Sequence, residues 1–178
     1  DDVLQGDDGV DTLLGGAGND DITGGAGHDS VLGGDGADTI TMSIEASSID
    51  TIDAGNQTDW LVLTGAAAGT VVLNLNAGAN NDQLTSINGN LESIVQSNFE
   101  NLDASAMTGG GINATAIGTG SNIIATAQAD TITGGAGNDT ITGGAGNDQI
   151  SGGNGDDLIV INGTADIAAG ESYSGDGG

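Results

Sequence analysis

Single aliphatic side chains punctuate this chain at intervals of nine: Leu4, Leu13, Ile22, Val31 and Ile40, then Ile132, Ile141, Ile150 and Ile159. Most stand between polar or small neighbours. Each triplet therefore reads as a short strand with one residue turned inward and its flanks outward. Between them lie glycine-rich stretches with a fixed acid. Residues 14–22 read Leu-Gly-Gly-Ala-Gly-Asn-Asp-Asp-Ile and 23–31 Thr-Gly-Gly-Ala-Gly-His-Asp-Ser-Val, while 133–141 and 142–150 read Thr-Gly-Gly-Ala-Gly-Asn-Asp-x-Ile. The unit is x-Gly-Gly-x-Gly-x-Asp-x-U, with U a large aliphatic. One turn and one short strand per nonapeptide predict an all-β, right-handed parallel β-roll or β-solenoid, in which two units make a coil and units i and i+2 stack.

In this frame the first block holds units 5–13, 14–22, 23–31 and 32–40, with Asp7 standing where the first unit should have its second glycine. A bridging segment, 41–52, leads to a worn unit at 53–61 that keeps Asp59 and Leu61 but loses two glycines. The second block opens with a worn unit at 124–132 and continues through 133–141, 142–150 and 151–159 to another bridge, 160–172. Three regions result: 1–61, a less regular solenoid-like middle at 62–123, and 124–178. Within the middle, Val72 to Asn76 alternates apolar and polar as a half-buried strand does. The apolar spacing over 91–102 fits a short helix or irregular rungs. The inward aliphatics of the two blocks are expected to fill two thin cores. Residues 174–178 are the first five positions of a unit and 1–4 the last four. Such phases fit a tandem or end-to-end array, and equally an arbitrary cut in a longer chain.

The turns carry the chemistry. Glycine is needed where backbone angles would make a Cβ clash, and bare turns leave carbonyl oxygens directed between stacked coils. Aspartate adds a hard anionic oxygen there, and calcium takes six to eight such oxygens in flexible geometry. The candidate ligands are Asp2, Asp11, Asp20, Asp29, Asp38, Asp59, Asp130, Asp139, Asp148 and Asp157. With them come the backbones of Gly15, Gly16, Gly18, Gly24, Gly25, Gly27, Gly33, Gly34, Gly36, Gly134, Gly135, Gly137, Gly143, Gly144, Gly146, Gly152, Gly153 and Gly155. Each of several calcium ions would bridge one turn to the next, which couples folding to binding.

Composition sharpens this picture. The 178 residues include 26 acids and no lysine or arginine, a formal charge of −26 that would ordinarily oppose compaction, yet 36% are hydrophobic. Bound cations reconcile the two. Of the acids 22 are Asp, and only Glu45, Glu92, Glu100 and Glu171 are Glu, as expected if the carboxylates sit in tight turns that require a short side chain. Without basic residues nothing can neutralise phosphates, so nucleic acid is excluded as a partner. No apolar run approaches a membrane span. Cysteine is absent, which removes disulfide and thiolate-metal frameworks.

Other candidates are weaker. His28 sits where sibling units have Asn19, Asn138 and Asn147 and reads as an outward turn residue, since one imidazole without Cys or His neighbours makes a poor metal site. Trp60 should point outward, as a partner anchor or as a residue the middle folds over. Phe99 and Tyr173 read as packing or caps. The triplets starting at Asn56, Asn113 and Asn162 match the glycosylation sequon, which is read as coincidental in an asparagine-rich chain. No catalytic motif is found, and the chain is not expected to be an enzyme.

By its nonapeptides the chain resembles the RTX family, the haemolysin-type calcium-binding repeat proteins of Gram-negative bacteria. The clear resemblance covers 1–40, 53–61 and 124–159, with 174–178 as a partial unit, and text such as Phe99 to Ser105 looks like linkers in S-layer proteins and adhesins of that family. The resemblance implies type I secretion. Calcium affinity agrees: extracellular modules bind at about 10⁻⁴–10⁻³ M, so they fill outside the cell and stay empty in the cytoplasm. The expected function is a calcium-dependent structural segment of a secreted surface protein (S-layer, filament or adhesin) that self-associates, with a cell-surface polysaccharide as a further candidate partner. The alternative is a folding and secretion module of an RTX enzyme or toxin. A carbohydrate- or ice-binding face would require flat rows including Thr12, Thr39, Thr131 and Thr140.

Overall fold

The computed structural model describes residues 1–44, 50–67, 69–75, 84–87, 90–91, 96–97, 99–116, 118, 120–162 and 172–175. Glu45, Glu92 and Glu171, the helix-or-rung choice over 92–95, and 176–178 of the terminal partial unit lie outside the described residues. So do Gly163 and Thr164 of the last sequon.

The nine-residue rhythm becomes a coil of two short strands joined by two glycine turns, stacked into a β-solenoid of parallel strands with no helix among the described residues. One face is a single eight-stranded sheet. Its strands are β1 (Val3–Gln5), β4 (Asp21–Thr23), β7 (Thr39–Ser43), β9 (Trp60–Ala66), β14 (Asn101–Thr108), β16 (Asn122–Ile124), β18 (Thr140–Thr142) and β20 (Leu158–Val160). This sheet passes through the repeat blocks and the segment between them without a break.

The opposite face is in two parts. One holds β3 (Thr12–Ala17), β6 (Ser30–Asp35), β8 (Thr51–Asn56) and β13 (Gln96–Ser97); the other holds β10 (Val71–Leu75), β15 (Ile112–Ala116), β17 (Thr131–Ala136), β19 (Gln149–Asn154) and β21 (Ser172–Ser174). At the gap β11 (Leu84–Ile87) and β12 (Asn90–Leu91) add antiparallel to the β10 edge, the departure from an otherwise parallel pattern. A minor pair, β2 (Asp8–Gly9) with β5 (Ala26–Gly27), links two turns.

Register is set by the inward aliphatics, since a one-residue slip would turn each of them out to solvent. Leu4 stacks on Ile22, Ile22 on Ile40, Ile40 on Leu61 and Leu61 on Leu102. The column continues through Ile123, Ile141 and Ile159. Most are fully buried, each stabilising the fold by ~1.5–3 kcal/mol, while Leu4, Leu13 and Ile159 at the outer coils are only partly covered. The expected two thin cores are one continuous core, because the middle is filled as well. There β7, β9 and β14 lengthen to 5, 7 and 8 residues and carry Met42, Leu63 and Met107 into the core, with Ile44 and Phe99 buried just outside these strands.

Trp60 is half-buried in an outward row between Thr39 and Asn101. Thr39 and Thr140 share one outward row of the eight-stranded sheet but are separated in it by Trp60, Asn101 and Asn122, and Thr12 and Thr131 stand in separate parts of the opposite face, so the four form no continuous threonine row.

Candidate metal centre

Each turn of the repeat units ends in an acid at the position before the strand, and these acids stack. A carboxylate Oδ1 accepts the backbone N–H of the corresponding residue one coil earlier. Along one edge Asp2 N–H donates to Asp20 (2.6 Å), Asp20 to Asp38 (2.9 Å) and Asp38 to Asp59 (2.7 Å). Asp59 N–H then donates to Glu100 Oε2 at 2.9 Å. Beyond the middle the same edge resumes, with Ser121 N–H on Asp139 (2.7 Å) and Asp139 N–H on Asp157 (3.0 Å).

The other edge runs from Asp11 to Asp29 (3.0 Å) and from Asp29 to Asp50 (3.0 Å), then from Ile112 to Asp130 (2.6 Å) and from Asp130 to Asp148 (2.9 Å). Charge-assisted bonds of this kind are the stronger class, and they lock coil to coil.

The second carboxylate oxygen is the informative one. Oδ2 of Asp11, Asp20, Asp29, Asp38, Asp59, Asp139 and Asp157 is buried and has no hydrogen-bond partner. A buried anionic oxygen left unpaired costs several kcal/mol on the order of magnitude of desolvation, so it calls for a cation or a proton. Except for Asp59, whose unit has Ala54 at that position, each such Oδ2 leans over the first glycine of its own unit. A Cβ on Gly15 would lie 2.5 Å from Asp20 Oδ2, on Gly24 2.7 Å from Asp29 Oδ2, and on Gly134 2.5 Å from Asp139 Oδ2. On Gly15 it would also meet the carbonyl oxygen of Gly33, one coil on, at 2.6 Å. Carboxylate and carbonyl oxygens therefore converge above a bare α-carbon.

The remaining two glycines of the unit serve a different need. Gly16 and Gly18 adopt φ of 101° and 115°, and their counterparts along both blocks do likewise, a region L side chains rarely enter. Where the pattern is worn a side chain takes the same angles, as at Asp7 (φ 65°) and Gln57 (φ 86°). The Asn that precedes the acid also stacks, on the outside: Asn19 Oδ1 accepts Ala37 N–H and Asn138 Oδ1 accepts Asp156 N–H, each at 3.0 Å. His28 holds this position in its unit and is exposed.

No cluster of three metal-ligating side chains occurs among the described residues. A cation on these edges would have to combine carboxylates of successive coils with backbone carbonyls. The oxygen-only donor set fits calcium, a hard cation that takes carbonyls and carboxylates together.

Burial pushes Asp59 up to about 7; the Asp38 N–H opposes this, and the charges of Glu100, Asp38 and Asp53 add to it. Burial likewise raises Asp50 to about 6 and raises Glu100 and Asp139. Asp130 is different. Burial raises it to about 6 although its oxygens are occupied, by the Ile112 N–H and by Thr126, whose N–H (3.1 Å) and Oγ–H (3.0 Å) both donate. In that worn unit Thr126 replaces the second glycine and satisfies the acid from within the chain.

The predicted ligands thus divide. Asp11, Asp20, Asp29, Asp38, Asp59, Asp139, Asp148 and Asp157 stand in the two edges, Asp2 is exposed at the first coil, and Asp130 is internally paired. Reading the glycines first missed Asp50 and Glu100. Asp50-Thr51-Ile52 and Glu100-Asn101-Leu102 keep the acid-x-aliphatic spacing without the preceding glycines, and that triplet is the signal that could have found them.

These features define a parallel β-solenoid whose turns are lined by carboxylate and carbonyl oxygens. Residues 5–40 and 124–159 match the family model of the RTX calcium-binding nonapeptide repeat (4 copies). The match supports the RTX family and a calcium-binding role for these segments. No curated protein matches the chain.

Proposed function

We propose that this chain is a calcium-dependent structural segment of a secreted bacterial surface protein, a stiff rod rather than a catalyst, which folds and assembles on meeting extracellular calcium. The observation that carries this reading is the pair of buried carboxylate edges, whose unpaired Oδ2 atoms lie against bare glycines and neighbouring carbonyls. Calcium there would neutralise stacked carboxylates that no lysine or arginine of this chain can pair. In its absence the acids repel one another across a few ångströms.

The continuity of the eight-stranded sheet from Val3 to Val160 favours a mechanical role, because load passes along the solenoid without a hinge in that face. Several sites of millimolar affinity supply, by mass action, a few kcal/mol between cytoplasm and exterior, which is comparable to the whole stability of a domain. Circular dichroism at neutral pH or above, with excess chelator and with millimolar calcium, tests the coupling: under those conditions β-structure should appear only with the ion, and an unchanged spectrum refutes it. Electron microscopy of the calcium-loaded protein tests assembly. Filaments or lattices are the expected result, and monodisperse monomers would favour the module of an RTX enzyme or toxin instead.

A further inference from the structure

The acid edge does not stop where the nonapeptides do. Glu100 follows the long excursion that begins after β9, yet Asn101 and Leu102 register on Trp60 and Leu61, which places Glu100 beside Asp59 in the stack. Its Oε2 accepts the Asp59 N–H at 2.9 Å, the contact that Asp59 itself makes with Asp38 at 2.7 Å. The Asp59 side chain is fully buried, and its Oδ2 has no hydrogen-bond partner. A second acid 41 residues away in sequence is thus held against an unpaired buried carboxylate, outside both stretches that match the repeat family.

We propose that Asp59 and Glu100 form a further site for a calcium-type cation, which latches the coil before the excursion to the coil after it. The proposal rests on the calcium reading above and extends it to an acid with no nonapeptide around it. Two anions stacked in a buried edge favour a divalent ion, and hard oxygen donors favour calcium over softer metals. Binding there joins acids 41 residues apart, a longer chain closure than the 18 residues between stacked acids of intact units.

Trp60, the sole tryptophan, adjoins Asp59 in sequence and Asn101 in register, and so reports on this site. Terbium, which replaces calcium at oxygen sites, should emit when Trp60 alone is excited, and calcium should quench that emission by displacement. Asp38 is also near Trp60, so an Asp38→Asn background isolates the contribution of Glu100. In that background Glu100→Gln, which keeps an acceptor for the Asp59 N–H, should lose most of the emission and bind about one ion fewer. Glu100→Asp, which keeps the charge, should retain emission.

Emission unchanged by Glu100→Gln, or lost equally in Glu100→Asp, overturns the proposal. So does a wild-type chain that folds on calcium but gives no Trp60-sensitised emission, which would leave the general calcium reading standing. A chain that takes up no calcium at all sinks that reading and this site together.

Discussion

The first glycine of each unit makes room for the carboxylate and is not required by the backbone, and Gly24 permits a clean test. Its φ lies outside the left-handed region, and the three atoms nearest to a Cβ placed on it all belong to Asp29, with Oδ2 at 2.7 Å and carbons at 3.4 and 3.5 Å. An oxygen at that distance must retreat by roughly 0.7 Å to reach ordinary contact, which swings the carboxylate away from the Asp11 N–H it accepts at 3.0 Å. Losing that charge-assisted bond costs about 1.5–3 kcal/mol, and alanine returns about 0.4–1 kcal/mol by restricting the unfolded chain. Gly24→Ala should therefore destabilise the calcium-loaded protein by about 1–2 kcal/mol, lowering Tm by roughly 2–8 °C for a domain of this size.

The decisive measurement is a double-mutant cycle by thermal unfolding at fixed calcium. In an Asp29→Ala background the obstacle is gone, so Gly24→Ala should become neutral or mildly stabilising, a coupling of about 1 kcal/mol or more. An equal cost in both backgrounds would mean that Gly24 is needed for its own conformation, and the steric argument would fail.

Three further outcomes are expected. Asp139→Asn should bind fewer calcium ions, while Asp130→Asn should leave the ion count unchanged because Thr126 and Ile112 already satisfy that acid; calorimetric titration of both variants would show equal losses if the division of the edge is wrong. The metal-free fold should be favoured by acid. Asp50, Asp59 and Asp130 have folded values of about 6, about 7 and about 6 against 3.8 when free, so their contribution is complete below pH ~4 and is lost as pH rises through 6–7. The loss is on the order of several kcal/mol, and circular dichroism of chelated protein should show more β-structure at pH 5 than at pH 8; the reverse order refutes the buried-acid picture. Finally, Gln57→Gly should stabilise by about 0.5–1 kcal/mol, since Gln57 is exposed and held at φ 86°, and a measured destabilisation would show that its side chain is needed there.

How much of the site was legible depended on the type of signal. Where the unit is intact, as at 14–40 and 133–159, local chemistry repeats identically, so nine residues suffice to name the inward aliphatic and the acid. Where the glycines are replaced, the frame is carried only by the triplet. Asp50-Thr51-Ile52 and Glu100-Asn101-Leu102 escape a glycine-based frame for that reason, although a carboxylate needs only its own strand position to join the edge. Thr126 could not be foreseen as the partner of Asp130, because the contact arises from two positions of a worn turn folding onto each other.

From the sequence alone came the coil, the inward column and the oxygen-rich turns, because an 18-residue coil is built from contacts that every unit makes in the same way. Only the tertiary structure decided that the two repeat blocks share one sheet and one core, with Leu61 stacked on Leu102 across 41 residues. It also separated the three glycines of the unit into one that clears a carboxylate and two that turn the chain. The physical reason is common to both: stacking depends on what lies one coil away, and where an excursion intervenes that neighbour stands at no fixed distance along the chain.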